Sequence, residues 1–275
     1  MTSLKTPLRY PGGKSRAIKK MAVYLPDMND YTEYRESFLG GGSFALWMTQ
    51  TYPKLDIWVN DLYVPLYNFW RVLQDQGQEL RDQLVQLKYR HPEPVSAKEL
   101  FLDAKDILNN DQTSNLSRAV AFYVVNKCSF SGLTESSSFS RQASDSNFSM
   151  RGIDKLPEYQ KIIRRWKITN LSYEQLLTDD KNTFTYLDPP YEIGSNLYGK
   201  KGNMHSGFNH DHFAIKCDRF VGHQLISYNA SQLIKERFDG WQTGEFDLTY
   251  TMRSVGSYMS DQKQRKELLL LNYGI

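Results

Sequence analysis

The sequence predicts an α/β fold whose sheet is interrupted by a long, mostly helical insert. Three observations lead there. Glu33 to Asp61 reads as strand, glycine-rich turn, helix and strand: Glu33–Phe38, then Leu39-Gly40-Gly41-Gly42-Ser43, then Phe44–Thr51, then Leu55–Val59 ending at Asn60-Asp61. From Leu62 to about Arg165, apolar residues recur at helical spacing, in 62–74, 79–90, 97–109 and 116–126. Strand-length apolar runs then return at Trp166–Asn170, Thr183–Leu187 and Gln224–Tyr228. The expected organisation is therefore a sheet domain from residues 1–61 and 166–275, with 62–165 as an inserted lobe.

The remaining elements follow in order. Pro7-Leu8-Arg9-Tyr10-Pro11-Gly12-Gly13 is a turn-rich opening. Ser15 is expected to cap a helix running to Tyr24, with Ile18, Met21, Ala22 and Leu25 on one face. Residues 127–150 are polar and serine-rich, with Gly132 and phenylalanines at 130, 139 and 148, the pattern of a hairpin or mobile loop. Ser231 to Phe238 reads as a helix, and Phe246–Met252 and Glu267–Tyr273 as two closing strands.

Composition narrows the classes. A chain of 275 residues with 40% hydrophobic content can bury a large core. The net charge of +3 is mild, but its cations cluster: Lys5, Arg9, Lys14, Arg16, Lys19 and Lys20; then Lys161, Arg164, Arg165 and Lys167; then Lys263, Arg265 and Lys266. Such clusters fit solvated faces or a polyanionic partner. Cys128 and Cys217 are far apart and form no C-x-x-C pair, which argues against a disulfide framework or zinc ribbon and for a reducing compartment. No run of 18 apolar residues and no signal-like start is present, so the expectation is a cytoplasmic protein with no membrane association.

The chemistry concentrates in Asp188-Pro189-Pro190-Tyr191, directly after the apolar Thr183–Leu187. Neither proline donates a backbone N–H and both fix φ, so the strand must end in a stiff turn bearing a carboxylate, free carbonyls and a ring. That set suits a flat, amine-bearing heterocycle. Upstream, Gly40 and Gly42 permit a tight turn between strand and helix. Asp61 follows some twenty residues later, at the end of the next strand, where nucleoside-binding sheets place the acid that accepts from ribose hydroxyls. Pro11-Gly12-Gly13-Lys14-Ser15 is not a phosphate-binding P-loop, because Leu8 stands where the first glycine belongs; Lys14 remains available to an anionic group. His205, His210 and His212 match no common zinc spacing and read as part of a polar flexible loop, so no metal is expected.

Taken in order, these blocks resemble the Dam-type, or D12, class of site-specific DNA adenine-N6 methyltransferases. The matching segments are Arg9-Tyr10-Pro11-Gly12-Gly13-Lys14, Glu36-Ser37-Phe38-Leu39-Gly40-Gly41-Gly42-Ser43, Asn60-Asp61, and Phe122-Tyr123-Val124-Val125-Asn126-Lys127 through Gly132-Leu133. Leu187-Asp188-Pro189-Pro190-Tyr191, Ile226-Ser227-Tyr228-Asn229, Arg253-Ser254-Val255 and Lys266-Glu267-Leu268-Leu269 complete them. The resemblance implies a Rossmann-like seven-stranded sheet with an antiparallel C-terminal hairpin, and S-adenosyl-L-methionine as methyl donor. It makes the 62–165 insert the target-recognition lobe.

By residue, the resemblance implies that Tyr10, Lys14, Glu36, Phe38, Gly40, Gly42 and Asp61 line the cofactor pocket, with Asp188 at its edge. It implies that Asp188 and the Pro189 carbonyl accept from the adenine amino group, and that Tyr191 stacks on a flipped base. The expected contacts to double-stranded DNA are Lys127, Ser129, Arg141 and Asn147. A cognate restriction endonuclease is a possible partner, and no obligate protein partner is evident. Two departures stand out. Ser172-Tyr173 replaces the Asp-Phe that in the family receives the cofactor's adenine, and Thr134-Glu135 follows Gly132-Leu133 where GATC readers carry an arginine. RNA or protein amines are alternative substrates for such a site; the insert and the N-terminal block favour DNA.

Overall fold

A computed structural model describes residues 4–110, 112–130, 132, 137–192, 207–247 and 266–274. Its centre is one seven-stranded sheet: β1 (Glu33–Glu36), β2 (Asp56–Asn60), β3 (Lys167–Thr169), β4 (Thr183–Leu187), β5 (His223–Asn229), β6 (Gln242–Asp247) and β7 (Lys266–Leu271), in the order β3-β2-β1-β4-β5-β7-β6. β1 pairs in parallel with β2 and β4, and only β7 runs against its neighbours β5 and β6. The chain order reverses between β1 and β4. In open α/β sheets a ligand crevice forms at such a reversal, outside the carboxyl ends of the strands.

The helices are α1 (Ile18–Met21), α2 (Ser43–Thr51), α3 (Val64–Arg90), α4 (Pro94–Leu108), α5 (Asn115–Cys128), α6 (Arg141–Ser146), α7 (Met150–Ile153), α8 (Leu156–Ile163), α9 (His210–Asp218) and α10 (Gln232–Arg237). The insert thus lies between β2 and β3. The windows 62–74 and 79–90 are a single helix, α3, with one non-helical residue at Gln76. The Gln74 amide donates to the carbonyl oxygens of Ile163 (2.8 Å) and Trp166 (2.7 Å), closing the end of the insert against its beginning. One apolar core covers a sheet face and runs on through Phe69, Trp70, Leu100, Phe122 and Tyr123 of the insert. A second, on the other face, gathers Phe213, Tyr228, Ile234, Leu268 and Leu270. Successive leucines of β7 therefore divide between the two cores, as the two-residue period of a strand requires.

Four local expectations are corrected. Ser15 caps nothing: Lys14–Arg16 is a 3-10 turn, and α1 is only four residues long. The polar 127–150 stretch is not simply a loop. Ser129 bridges Phe139, α6 follows with Ser140 capping it, and Phe148 is fully buried. His210 and His212 open a helix rather than lying in a loop, capped by the Asn209 side chain. Among the described residues, the strand before β7 is Gln242–Asp247, which starts earlier than the expected Phe246. Residues 248–252, the Arg253-Ser254-Val255 block, Leu133, Thr134, Glu135 and His205 lie outside the described residues.

Candidate active site

Three carboxylates meet at the carboxyl edge of adjacent parallel strands. Glu36 is the last residue of β1, Asp61 follows β2, and Asp188 follows β4. Register brings them together: Glu36 stands opposite Val59 on one side and Tyr186 on the other. The edge continues into β5, where Leu187 faces Ile226 and so brings Ser227 beside Asp188. Because β7 is antiparallel, it begins at this same edge, with Glu267 opposite Asn229.

The Asp188 carboxylate is held by one oxygen. Oδ1 accepts from the Lys14 ammonium at 2.8 Å and from the Ser227 hydroxyl at 2.8 Å. The Ser227 oxygen in turn lies 2.8 Å from the Tyr186 hydroxyl. Among the described residues no group bonds Oδ2, and the Asp188 side chain keeps 21% of its surface exposed. Lys14 is buried and reaches Asp188, the Tyr191 hydroxyl at 2.6 Å, Glu267 at 3.1 Å and the Gly12 carbonyl at 3.3 Å. Tyr191 donates its own proton to Glu267. Its ring lies 5.9 Å from Tyr228, with the Lys14 ammonium 4.8 Å from its centre.

Beside this cluster lie two further acids and an aromatic wall. Glu36 accepts from the Tyr34 hydroxyl at 2.6 Å and from the Ala45 N–H. Asp61 accepts from the N–H groups of Gly40 and Tyr63, both at 2.9 Å. Burial pushes the Glu36 carboxyl up to about 8 and the Asp61 carboxyl up to about 6, and it raises Asp188 as well. Gly40 and Gly42 have positive φ, 50° and 65°. A Cβ on Gly42 comes within 2.7 Å of the Trp70 ring, and one on Gly40 within 2.9 Å of Tyr10. Rings of the protein, rather than empty space, thus press on both glycines. Phe38 stacks on Tyr173 at 5.6 Å, with Phe208 and Phe213 closing the wall.

Among the sequence-predicted site residues, Lys14 contacts both Asp188 and Tyr191, Tyr10 packs on Gly40, and Asp61 braces Gly40. The buried Pro189 follows Asp188 directly. Of the residues expected at DNA, Arg141 is exposed and Asn147 half-buried. Lys127 is half-buried over the Tyr123 ring, and burial, then Arg9, hold its ammonium down to about 8. Ser129 is fully buried, its hydroxyl donating to the Asn126 carbonyl at 3.3 Å. Among the described residues no group of three or more His, Cys, Asp or Glu side chains is arranged to hold a metal ion.

Sequence reasoning missed Glu267 and Ser227 as site residues. Glu267 did leave a signal: it is an acid at the head of the leucine run 268–271, and a buried acid there needs a cationic partner.

A topological switch point, three buried acids and a pinned Asp-Pro-Pro-Tyr carboxylate are joined by a family match. Residues 10–252 fit the model of the D12 class N6 adenine-specific DNA methyltransferases. The chain belongs to that family. It is an enzyme that transfers a methyl group from S-adenosyl-L-methionine to N6 of adenine in DNA. Relatives extend over its length. A Type II methyltransferase, M1.LlaDCHI, of Lactococcus lactis subsp. cremoris is 22% identical across 99% of this chain and 96% of its own. Type II methyltransferase M.CviBI of Paramecium bursaria Chlorella virus NC1A is 20% identical across 98% of this chain and its own whole length. A DNA N-6-adenine-methyltransferase of Escherichia phage P1 is 29% identical over 46% of this chain and 15% of its own.

The acids and rings gathered at this edge are of a kind that suits the cofactor. When bound, S-adenosyl-L-methionine supplies an electrophilic methyl group on a positively charged sulfur. Carboxyls raised by burial favour a cation as guest, since positive charge relieves their ionisation. The aromatic wall around Phe38 offers a face for a planar ring.

Proposed function

We propose that Asp188, with the Pro189 carbonyl, receives the amino group of an adenine rotated out of the duplex, and that Tyr191 stacks on that base. The observation carrying this reading is the asymmetry of the Asp188 carboxylate. Lys14 and Ser227 fix Oδ1, while among the described residues no group bonds Oδ2, on a side chain that stays 21% exposed. The N6 lone pair is delocalised into the ring and is a poor nucleophile. Accepting both N–H bonds favours a pyramidal nitrogen, on which positive charge develops as the methyl arrives. A fixed carboxylate stabilises that charge more in the transition state than before it. Holding the nitrogen in line supplies part of the rest. Unstacking the base costs a few kcal/mol, and stacking on Tyr191 offsets about 1–3 kcal/mol of it.

The 62–165 insert acts in this reading as the target-recognition lobe. Lys127, Arg141 and Asn147 face the DNA from it, and buried Ser129 shapes the segment that carries them. The names of the Type II relatives support a modification role at one DNA sequence, alongside a cognate endonuclease, in the compartment where that DNA resides.

The test is Asp188→Ala. Methyl transfer to DNA from labelled cofactor should fall at least about 10²–10³-fold, while DNA binding stays within a few-fold. Near-normal turnover sinks the reading. A parallel Tyr191→Ala should lower the fluorescence of a flipping reporter placed at the target adenine, and an unchanged signal removes the stacking role.

A further inference from the structure

We propose that Glu267 is a positioning residue of this site: from β7 it anchors the Tyr191 ring and shares the Lys14 ammonium with Asp188. The inference rests on the reading of Asp188 as the acceptor of the amino group. Its basis is a cluster of four side chains from three separate elements: the N-terminal turn, the turn after β4, and β7. Lys14 contacts Asp188, Tyr191 and Glu267 at once, at 2.8, 2.6 and 3.1 Å. By donating to Glu267, Tyr191 closes a ring with Lys14, and Asp188 joins that ring through Lys14. Lys14 and Glu267 are buried, with side chains 3% and 1% exposed, so the pairing is shielded from solvent.

Two consequences follow. A tyrosine whose hydroxyl accepts from Lys14 and donates to Glu267 has its proton direction and ring plane set from both sides. Such a ring is held in place before a base arrives, so less is lost in ordering it on binding. The second consequence is electrostatic. One ammonium lies between two carboxylates. If it faced Asp188 alone, its charge would oppose the positive charge that develops on the reacting nitrogen. Glu267 draws part of that charge toward itself and leaves Asp188 the stronger acceptor.

The groups facing Asp188 are Lys14 from the N-terminal turn, Tyr34 and Glu36 from β1, Tyr186 from β4, Tyr191 from the turn after β4, Ser227 from β5 and Glu267 from β7. Burial raises the Asp188 carboxyl first, Lys14 pulls it down, and the Glu267 charge pushes it up. Removing that charge must therefore shift Asp188 ionisation to lower pH.

Glu267→Gln keeps the shape and the acceptor for Tyr191 but removes the charge. The expected result is a kcat lower by roughly tenfold, with the acid limb of the kcat–pH profile moved to lower pH. The KM for DNA should change little, because the bond to Tyr191 survives. In a Lys14→Met background the same substitution should have almost no further effect, since the two residues act through one interaction. Thermal unfolding and cofactor calorimetry establish that each variant is folded. Unchanged kcat and acid limb overturn the proposal. So does a lower kcat with an unmoved limb, which marks a merely structural residue. Asp188→Ala, which removes the accepting oxygens altogether, separates the two levels of inference. If it stays active, the acceptor reading fails; if it is inactive while Glu267→Gln behaves as wild type, only the positioning role fails.

Discussion

Glu36 shows what a single buried side chain contributes. Its carboxyl, pushed up to about 8 by burial, is largely protonated at neutral pH despite bonds from Tyr34 and Ala45 that favour the ionised form. Two pH dependences follow. In the folded chain Glu36 binds its proton up to about 8, whereas an unfolded glutamate releases it near ~4.3. The folded state thus holds more protons across that window, and stability falls as pH rises through it. Cationic cofactor binding runs the other way. With the cofactor proposed to sit beside Glu36 and Asp61, it favours their ionised forms, so affinity for S-adenosyl-L-methionine should rise from about pH 6 to about pH 8, with proton release on binding. Calorimetry in buffers of different ionisation enthalpy measures both. The demethylated product has no charged sulfur and should show a weaker pH dependence. Glu36→Gln should flatten the upper part of the cofactor's curve. An equally steep curve in that variant rules out Glu36 as the titrating group.

The N-terminal turn is the element that ties recognition to chemistry. Asn126 of α5 accepts from the Arg9 N–H at 2.9 Å and donates to the carbonyls of Arg9 (2.6 Å) and Gly132 (2.9 Å). The Arg9 guanidinium donates to the carbonyls of Ser129 (2.7 Å) and Phe130 (3.1 Å). Gly132, at φ 71°, lies so close that a Cβ there comes within 2.5 Å of the Arg9 oxygen. The segment that delivers Tyr10 and Lys14 is thereby fastened to the segment after α5. Asn126→Ala leaves buried backbone groups unpaired at about 1–3 kcal/mol each. It should lower the melting temperature by several degrees and expose the N-terminal turn to protease. A melting temperature and cleavage pattern equal to wild type refute the pin. Strands and stiff turns are legible as local patterns. Thr183–Leu187 has the same bounds in sequence and structure, because two prolines end the apolar run and cannot extend the ladder. The 127–150 stretch is not legible in this way. Serines compatible with a loop are equally good helix caps, and Ser140 and Ser149 are used as caps.

At the scale of the whole molecule, the sheet sorts the basic clusters. Arg165 pairs with Asp56 at the amino end of β2, and Lys167 starts β3, so the cluster from Lys161 to Lys167 lies toward the end of the sheet opposite Asp188. Exposed Arg16 and Lys19 instead flank the turn that supplies Lys14. DNA affinity should therefore weaken in Arg16→Gln/Lys19→Gln, and its salt slope should fall by roughly 0.9 for each phosphate no longer neutralised. Lys161→Gln/Arg164→Gln should leave both unchanged. Equal effects from the two pairs contradict this placement of the DNA path. The sequence by itself determined the α/β class, the place of the helical insert, the Asp-Pro-Pro-Tyr turn and, through ordered motifs, the family. Periodicity, turn chemistry and motif order are local properties, carried by neighbouring residues. Only the tertiary structure decided that Asp188, Tyr191 and Glu267 meet around the buried Lys14 ammonium. The Lys14–Asp188 contact spans 174 positions, and Glu267 reaches it because β7 runs antiparallel beside β5. Strand order and direction place these groups, and no local spacing encodes them.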